Sequence, residues 1–417
     1  MRKYKTDDIL VCILFIMQLG FHTKGQYDEM ISLVISALIA FYFCFSGSDM
    51  GKVILNTTNK RYVIWYTLFV CVCVLTIFTC KSCNLTMLKR LFTETYIPTL
   101  LCTVALTTYL KHNKEPKILL KLIVYAEVIV SVRVLLNTPI IRVIKELNTT
   151  LYGEGLGVSY NNFTTPLALI FCISIYLLFF CKEKIYTSSL FLALNILFSG
   201  SRKAMILSAV CFVGMYLLTS DRKNISKKIK TVLVVLAISV ITIIVIMTND
   251  FLYSLLGSKI VSVIQSMGMD YAQINSAGIV DESVRGRAVL REMAVQVFKD
   301  NPIIGVGYYG FMYYNQLKYY AHNNYLELLA DLGIVGFTAY YWYYVNVIFS
   351  ALKQRKINRH CDFSYRPDIL VLVFMVLLLT MEYGQVTYFR MFMLMPFITV
   401  IFTANAMYRK EVMTVEQ

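Results

Sequence analysis

Residues 321–351 read AHNNYLELLADLGIVGFTAYYWYYVNVIFSA. A polar start that holds one of only four histidines runs without a break into an apolar stretch at 325–351. About 20 mostly apolar residues cross a bilayer as a helix, and a charged side chain at its centre costs about 2.5–3.5 kcal/mol. The stretch therefore reads as a membrane helix that starts from a polar loop. His322, Asn323, Asn324, Glu327 and Asp331 crowd that start.

Working outward, apolar runs recur at 9–21, 30–46, 62–80, 92–110, 118–136, 164–181, 186–200, 203–219, 230–248, 368–382 and 390–407. The chain has 417 residues, of which 58% are hydrophobic and 16% charged. A soluble protein of this length needs far more polar surface, so the fold class is an all-α integral membrane protein with about twelve transmembrane helices. Three regions follow: helices over 1–248, a long polar loop over 249–324, and helices again over 325–417. The start MRKYKTDDILVCILFIMQLGFH resembles a signal peptide but reads as a short first spanning helix. Most cysteines lie in apolar runs, where a thiol acts as a small apolar group. Cys80 and Cys83 have CxxC spacing but lack a second pair, so no metal site is expected.

The net charge of +15 does not call for a nucleic-acid partner. In a membrane protein, excess Lys and Arg mark the cytoplasmic loops. With the N-terminus inside, the inner segments carry 24 Lys and Arg and the short outer ones nine. Both termini are then expected to be cytoplasmic, with the loop at 249–324 outside. Long ordered loops in compact proteins are usually functional. A smaller outer loop, 137–163, includes LYGEGLGVSYNN and would cover the same face.

Three polar groups belong to that outer side. FSGSRKAMI at 198–206 puts Arg202 and Lys203 at a tight hairpin, where they are either a snorkelling pair or ligands. DESVRGRAVLREMAVQVFKDNPIIGVGYYGF at 281–311 reads as an amphipathic helix from Ser283 to Lys299, then a turn made by Asn-Pro and glycines. Arg287 and Arg291 share a face of that helix and Arg285 lies near its start. Such a helix either lies on lipid headgroups or grips a diphosphate, since guanidinium groups pair bidentately with phosphate and keep their charge. The third group is rich in tyrosine from Tyr308 to Tyr320 and ends at His322. Its rings suit a membrane interface or the apolar faces of sugars. A neutral imidazole at His322 could take a proton from a hydroxyl near neutral pH, although a lone histidine is more often structural. No Walker A, HExxH or Gly-x-Ser-x-Gly pattern is present. Glu127 and Arg133 on the 118–136 helix give thin support for an ion path.

SGSRKAMI, the Arg-x-Arg helix leading into NPIIGVGYYGF, and AHNNYLELLADLGIVGF, in this order over about 195–340, resemble the O-antigen ligase/polymerase superfamily. That group contains Wzy-type polysaccharide polymerases and WaaL-type ligases. The first half of the chain matches only by hydropathy and helix number. The resemblance implies a GT-C-like glycosyltransferase of the bacterial inner (cytoplasmic) membrane that uses neither a cofactor nor a metal. The donor would be an undecaprenyl-diphosphate-linked glycan, presented among membrane lipid on the outer face. The acceptor would be a lipid-linked repeat unit for a polymerase of O-antigen, capsule or other exopolysaccharide, or lipid A-core for a ligase. A chain-length regulator and a flippase would be its protein partners. The expected catalytic residues are His322, Arg285 and Arg287. The expected substrate-binding residues are Arg202, Lys203, Arg291, Tyr308, Asn323, Asn324 and Glu327. A flippase or transporter of lipid-linked oligosaccharide would instead spread its charges through the helices around a central cavity.

Overall fold

The computed structural model describes residues 6–20, 25–45, 57–79, 85–113, 115–137, 160–198, 201–218, 230, 248, 282–315, 317–358 and 365–415. The expected helix at 230–248, most of the loop at 249–281, the smaller loop at 138–159 and the Cys80–Cys83 pair lie outside them. Every regular element among the described residues is helical. The first half comprises α1 (Thr6–Gly20), α2 (Gly25–Phe45), α3 (Thr57–Thr79), α4 (Leu85–Arg90), α5 (Ile97–His112), α6 (Lys117–Asn137) and α7 (Tyr160–Phe179). The second comprises α8 (Tyr186–Phe198), α9 (Arg202–Leu218), α10 (Glu282–Asp300), α11 (Phe311–Tyr314), α12 (Asn324–Asn358), α13 (Pro367–Glu382) and α14 (Met391–Val415).

The run expected as one helix at 92–110 begins in a π-helical turn at Leu91–Tyr96, which links α4 to α5. Pro98 explains the turn. It has no N–H for the carbonyl four residues back, and its ring crowds that carbonyl. The ladder widens instead, and the Ile97 N–H donates to the Phe92 carbonyl.

Among the described residues, three stretches are long and apolar enough to cross a membrane by length and composition: Asn59–Thr79, Asn324–Ile357 and Met391–Val412. The last is the central post. It is 83% buried and packs against α1, α3, α5, α6, α7 and α13. Helix α3 shows how the outer helices face two ways. Tyr62, Trp65, Tyr66, Phe69, Cys73 and Thr76 recur at helical spacing and are buried. Trp65 stacks on Tyr343 at 4.9 Å and donates its indole N–H to the Tyr340 carbonyl at 2.8 Å. Ile64, Leu68, Leu75 and Phe78, on the other side, are exposed, Phe78 at 81%. Exposed apolar side chains continue over Val34, Leu38, Leu136, Leu190, Val210, Phe349 and Val376. A surface this apolar belongs against lipid, and the described residues form an all-helical membrane bundle.

The two ends of the bundle differ chemically. One end gathers Lys117 and Lys121 on Glu183, each at 2.9 Å, with Arg366 on Asp368 at 3.1 Å. The other end gathers the turn at 301–310, the start of α12, and the segment 383–390 that joins α13 to α14.

Candidate active site

The turn after α10 locks into a break in α12. At Gly333 the backbone leaves the helix with φ 60° and ψ −162°. The break frees two carbonyls and two N–H groups of α12, and the turn answers all four. Val306 and Gly307 donate to the carbonyls of Ala330 and Asp331 at 3.0 and 2.8 Å, while Ile334 and Val335 donate to those of Pro302 and Ile303 at 2.9 and 3.1 Å. Buried backbone groups left unpaired would be costly, so the two breaks stabilise one another. The fit requires glycine on both sides. A Cβ at Gly305 would lie 2.4 Å from the Asp331 carbonyl carbon, and one at Gly333 would lie 2.3 Å from the Ile303 oxygen.

Asp331 has a definite task here. Its buried carboxylate accepts the N–H groups of Tyr309 at 3.2 Å and Phe311 at 2.7 Å, and the Tyr388 hydroxyl at 3.0 Å. It thereby ties the turn to α12 and to the 383–390 segment.

His322 sits at the mouth of this assembly, half-buried, with φ 52°. Left-handed backbone is unusual for a residue with a side chain and persists only where neighbours fix it. Here both neighbours are fixed. Before it, the Ala321 N–H donates to the Glu327 carboxylate. After it, Asn323 caps α12, its Oδ1 accepting the N–H groups of Tyr325 at 3.0 Å and Leu326 at 3.1 Å. Asn324 is fully buried; its Oδ1 accepts the N–H of Thr387 at 2.8 Å, and its amide donates to the Tyr341 hydroxyl at 2.8 Å. The side-chain oxygens of both asparagines are thus engaged by backbone, so these residues position the site. Glu327 keeps one carboxylate oxygen, Oε1, without a hydrogen-bond partner.

The His322 ring lies 4.1 Å from that of Tyr320. Burial pushes its pKa down to about 4, and the positive charges of Arg287 and Arg291 push the same way. The imidazole is therefore neutral at pH 7 with a lone pair free to take a proton. Arg287 also acts electrostatically on Tyr320 and Lys203. Arg291 lies over the Tyr383 ring at 4.9 Å, and its buried Nε has no partner. Helix α10 packs on α12, and its Arg287 and Arg291 act electrostatically on His322. Lys203 is spent differently from a ligand: its ammonium donates to the Met381 carbonyl and is attracted by Glu382. Tyr308 is almost wholly buried, packed on Tyr388 at 6.0 Å, with its N–H on the Thr76 hydroxyl at 3.1 Å. The side chains of Arg202 and Arg285 lie outside the described residues, although Arg202 opens α9 and Arg285 falls in the first turn of α10.

Two residues of the site do not stand out in the sequence. Glu382 is fully buried and accepts the hydroxyls of Thr387 at 2.6 Å, Tyr341 at 2.9 Å, Tyr344 at 3.4 Å and Tyr340 at 3.5 Å. Arg390 lies at the end of the 383–390 segment, its guanidinium over Phe389 at 4.7 Å. Its position as the lone basic residue of a short loop between two apolar runs is the only signal it gives.

One polar end of the helical bundle thus holds a half-buried histidine under the electrostatic influence of Arg287 and Arg291. Residues 187–341 match the family model described as O-antigen ligase (Wzy_C). That match supports the O-antigen ligase/polymerase superfamily, and it covers α8, α9, α10 and the start of α12 that build the site. No curated protein matches the chain.

Proposed function

We propose that this protein is a polysaccharide polymerase that moves a glycan from undecaprenyl diphosphate to a lipid-linked repeat unit at the outer face of the cytoplasmic membrane. The observation that carries the reading is the pairing of neutral His322 with Arg287 and Arg291 on one polar face of the helical bundle. In the reaction the acceptor hydroxyl attacks the anomeric carbon of the donor. The bond from that carbon to the diphosphate oxygen breaks, its electron pair leaves on the lipid diphosphate, and the hydroxyl proton passes to His322. Negative charge grows on the leaving group, where fixed guanidinium groups stabilise it. Arg287 and Arg291 supply that charge, with Arg285 and Arg202 as further ligands; each charge-assisted contact contributes about 1.5–3 kcal/mol. Donor binding also neutralises the charges that depress His322, so the base gains proton affinity once its substrate is in place. Asn323, Asn324 and Glu327 fix the histidine's backbone. Lys203 fixes the end of α13.

A ligase that passes the glycan to lipid A-core shares every one of these roles. The detergent-purified chain, given the lipid-linked donor with either acceptor, separates the two: the polymerase reading expects glycan added only to the lipid-linked repeat. Transfer to lipid A-core alone would replace it with the ligase. A flippase would keep its activity when Arg287 is neutralised, whereas transfer is expected to stop.

A further inference from the structure

A second opening is lined in part by the Tyr308–Tyr309 turn that precedes His322. It is a cleft of about 180 Å³ whose walls come from the π-helical turn, the 308–309 turn and the start of α14. Its chemistry is mixed in a specific way: Arg90, Glu94, Thr95, Tyr309, Phe389 and Arg390 all face it. Arg90 and Glu94 neutralise each other across 3.5 Å, which leaves Arg390 as the unbalanced charge of the lining. The Nε of Arg390 is buried and has no hydrogen-bond partner. A buried donor in that state is costly unless a ligand completes it.

Four features show that the cleft is built and linked to the surroundings of His322. Its wall is a π-helical turn, a form that recurs at functional sites. Thr95 pins this wall to the opposite one by donating to the Phe389 carbonyl at 2.8 Å. Tyr309 holds φ 58°, and Asp331 anchors its N–H there. The charge of Arg390 reaches Tyr309 and Tyr320, and Tyr320 packs on His322.

We infer that this cleft is a sugar subsite for a ring carrying one negative group, lying next to the reacting hydroxyl of the glycan substrate. The aromatic ring of Tyr309 suits the C–H face of a sugar, the Glu94 carboxylate accepts from hydroxyls, and Arg390, stacked on Phe389, takes the anion. The inference rests on the glycan-transfer reading and adds the class of sugar. The anion is either a uronic carboxylate or a phosphate substituent, since a guanidinium pairs with both.

The test is saturation-transfer NMR on the detergent-solubilised full chain with glucuronate, glucose 6-phosphate, glucose and inorganic pyrophosphate as probes. One charge-assisted contact is worth about tenfold or more in affinity, so glucuronate or glucose 6-phosphate should bind at least that much tighter than glucose. Whichever wins identifies the anion. Arg390→Gln should remove the difference and Arg287→Gln should leave it. Arg90→Gln, on the exposed side of the cleft, gives a second variant should Arg390→Gln fail its thermal-unfolding control; it too should weaken binding of the charged sugar. Equal affinity for glucose and both charged sugars, an unchanged preference in Arg390→Gln and Arg90→Gln, or displacement of glucuronate by pyrophosphate would overturn the inference. Pyrophosphate binding that does not depend on Arg287 would instead count against the glycan-transfer reading, with the sugar subsite unaffected.

Discussion

His322 owes its chemistry to what surrounds it. Burial and two nearby guanidinium groups hold its pKa near 4, below the ordinary value of 6.5. The folded pKa is depressed, so this group's contribution to stability is present above pH 6.5 and disappears as pH falls through about 4. An NMR titration of the imidazole should show a midpoint near 4 in the native chain, moving up toward 6.5 in Arg287→Gln because a positive neighbour is lost. An unchanged midpoint would mean that Arg287 does not act on the ring. At this scale the sequence was uneven. His322 and the α10 arginines could be picked out because they lie in and at the end of the one long polar loop and match the family resemblance. The tasks of Asp331, Glu382 and Arg390 could not, because each depends on a partner brought close only by folding: Tyr388 for Asp331, the tyrosine hydroxyls of α12 for Glu382, and Phe389 with the π-helical turn for Arg390.

Among the elements, the decisive one is the broken helix α12. The Asn-Pro and glycine spacing announces a turn at 301–307, yet nothing local says that the turn plugs a gap in another helix. Glycine is required at Gly333 because its φ and ψ fall in a region essentially closed to other residues. Gly333→Ala should therefore destabilise the protein by at least the ~1–2 kcal/mol cost of a left-handed residue, with the backbone collision added. Gly286→Ala is the contrasting case. Gly286 lies inside α10 with open space around its Cα, so alanine should stabilise by about 0.5–1 kcal/mol. Thermal unfolding in detergent compares the two; equal effects would mean that the interlock at α12 does not govern stability. Gly305→Ala should follow Gly333→Ala, since its Cβ would meet the same helix.

Across the whole molecule, the helical class was legible because about 20 apolar residues at a time leave few alternatives. The π-helical turn was not, because hydropathy does not register a widened ladder. The outward apolar faces of α3 and its neighbours set the bundle in lipid, and the excess of Lys and Arg in alternate loops makes its direction testable. A reporter fused within 260–280 is expected to read extracytoplasmic, and a cytoplasmic signal would put the donor on the wrong side. The central claim is that His322 and the α10 arginines carry glycan transfer. Its most direct test is the length distribution of the glycan in a host whose own copy is replaced by His322→Ala, Arg285→Ala or Arg287→Ala, with membrane insertion checked by immunoblot. Each variant is expected to insert normally and leave single repeat units in place of polymer; long-chain glycan of normal length in all three would contradict the account.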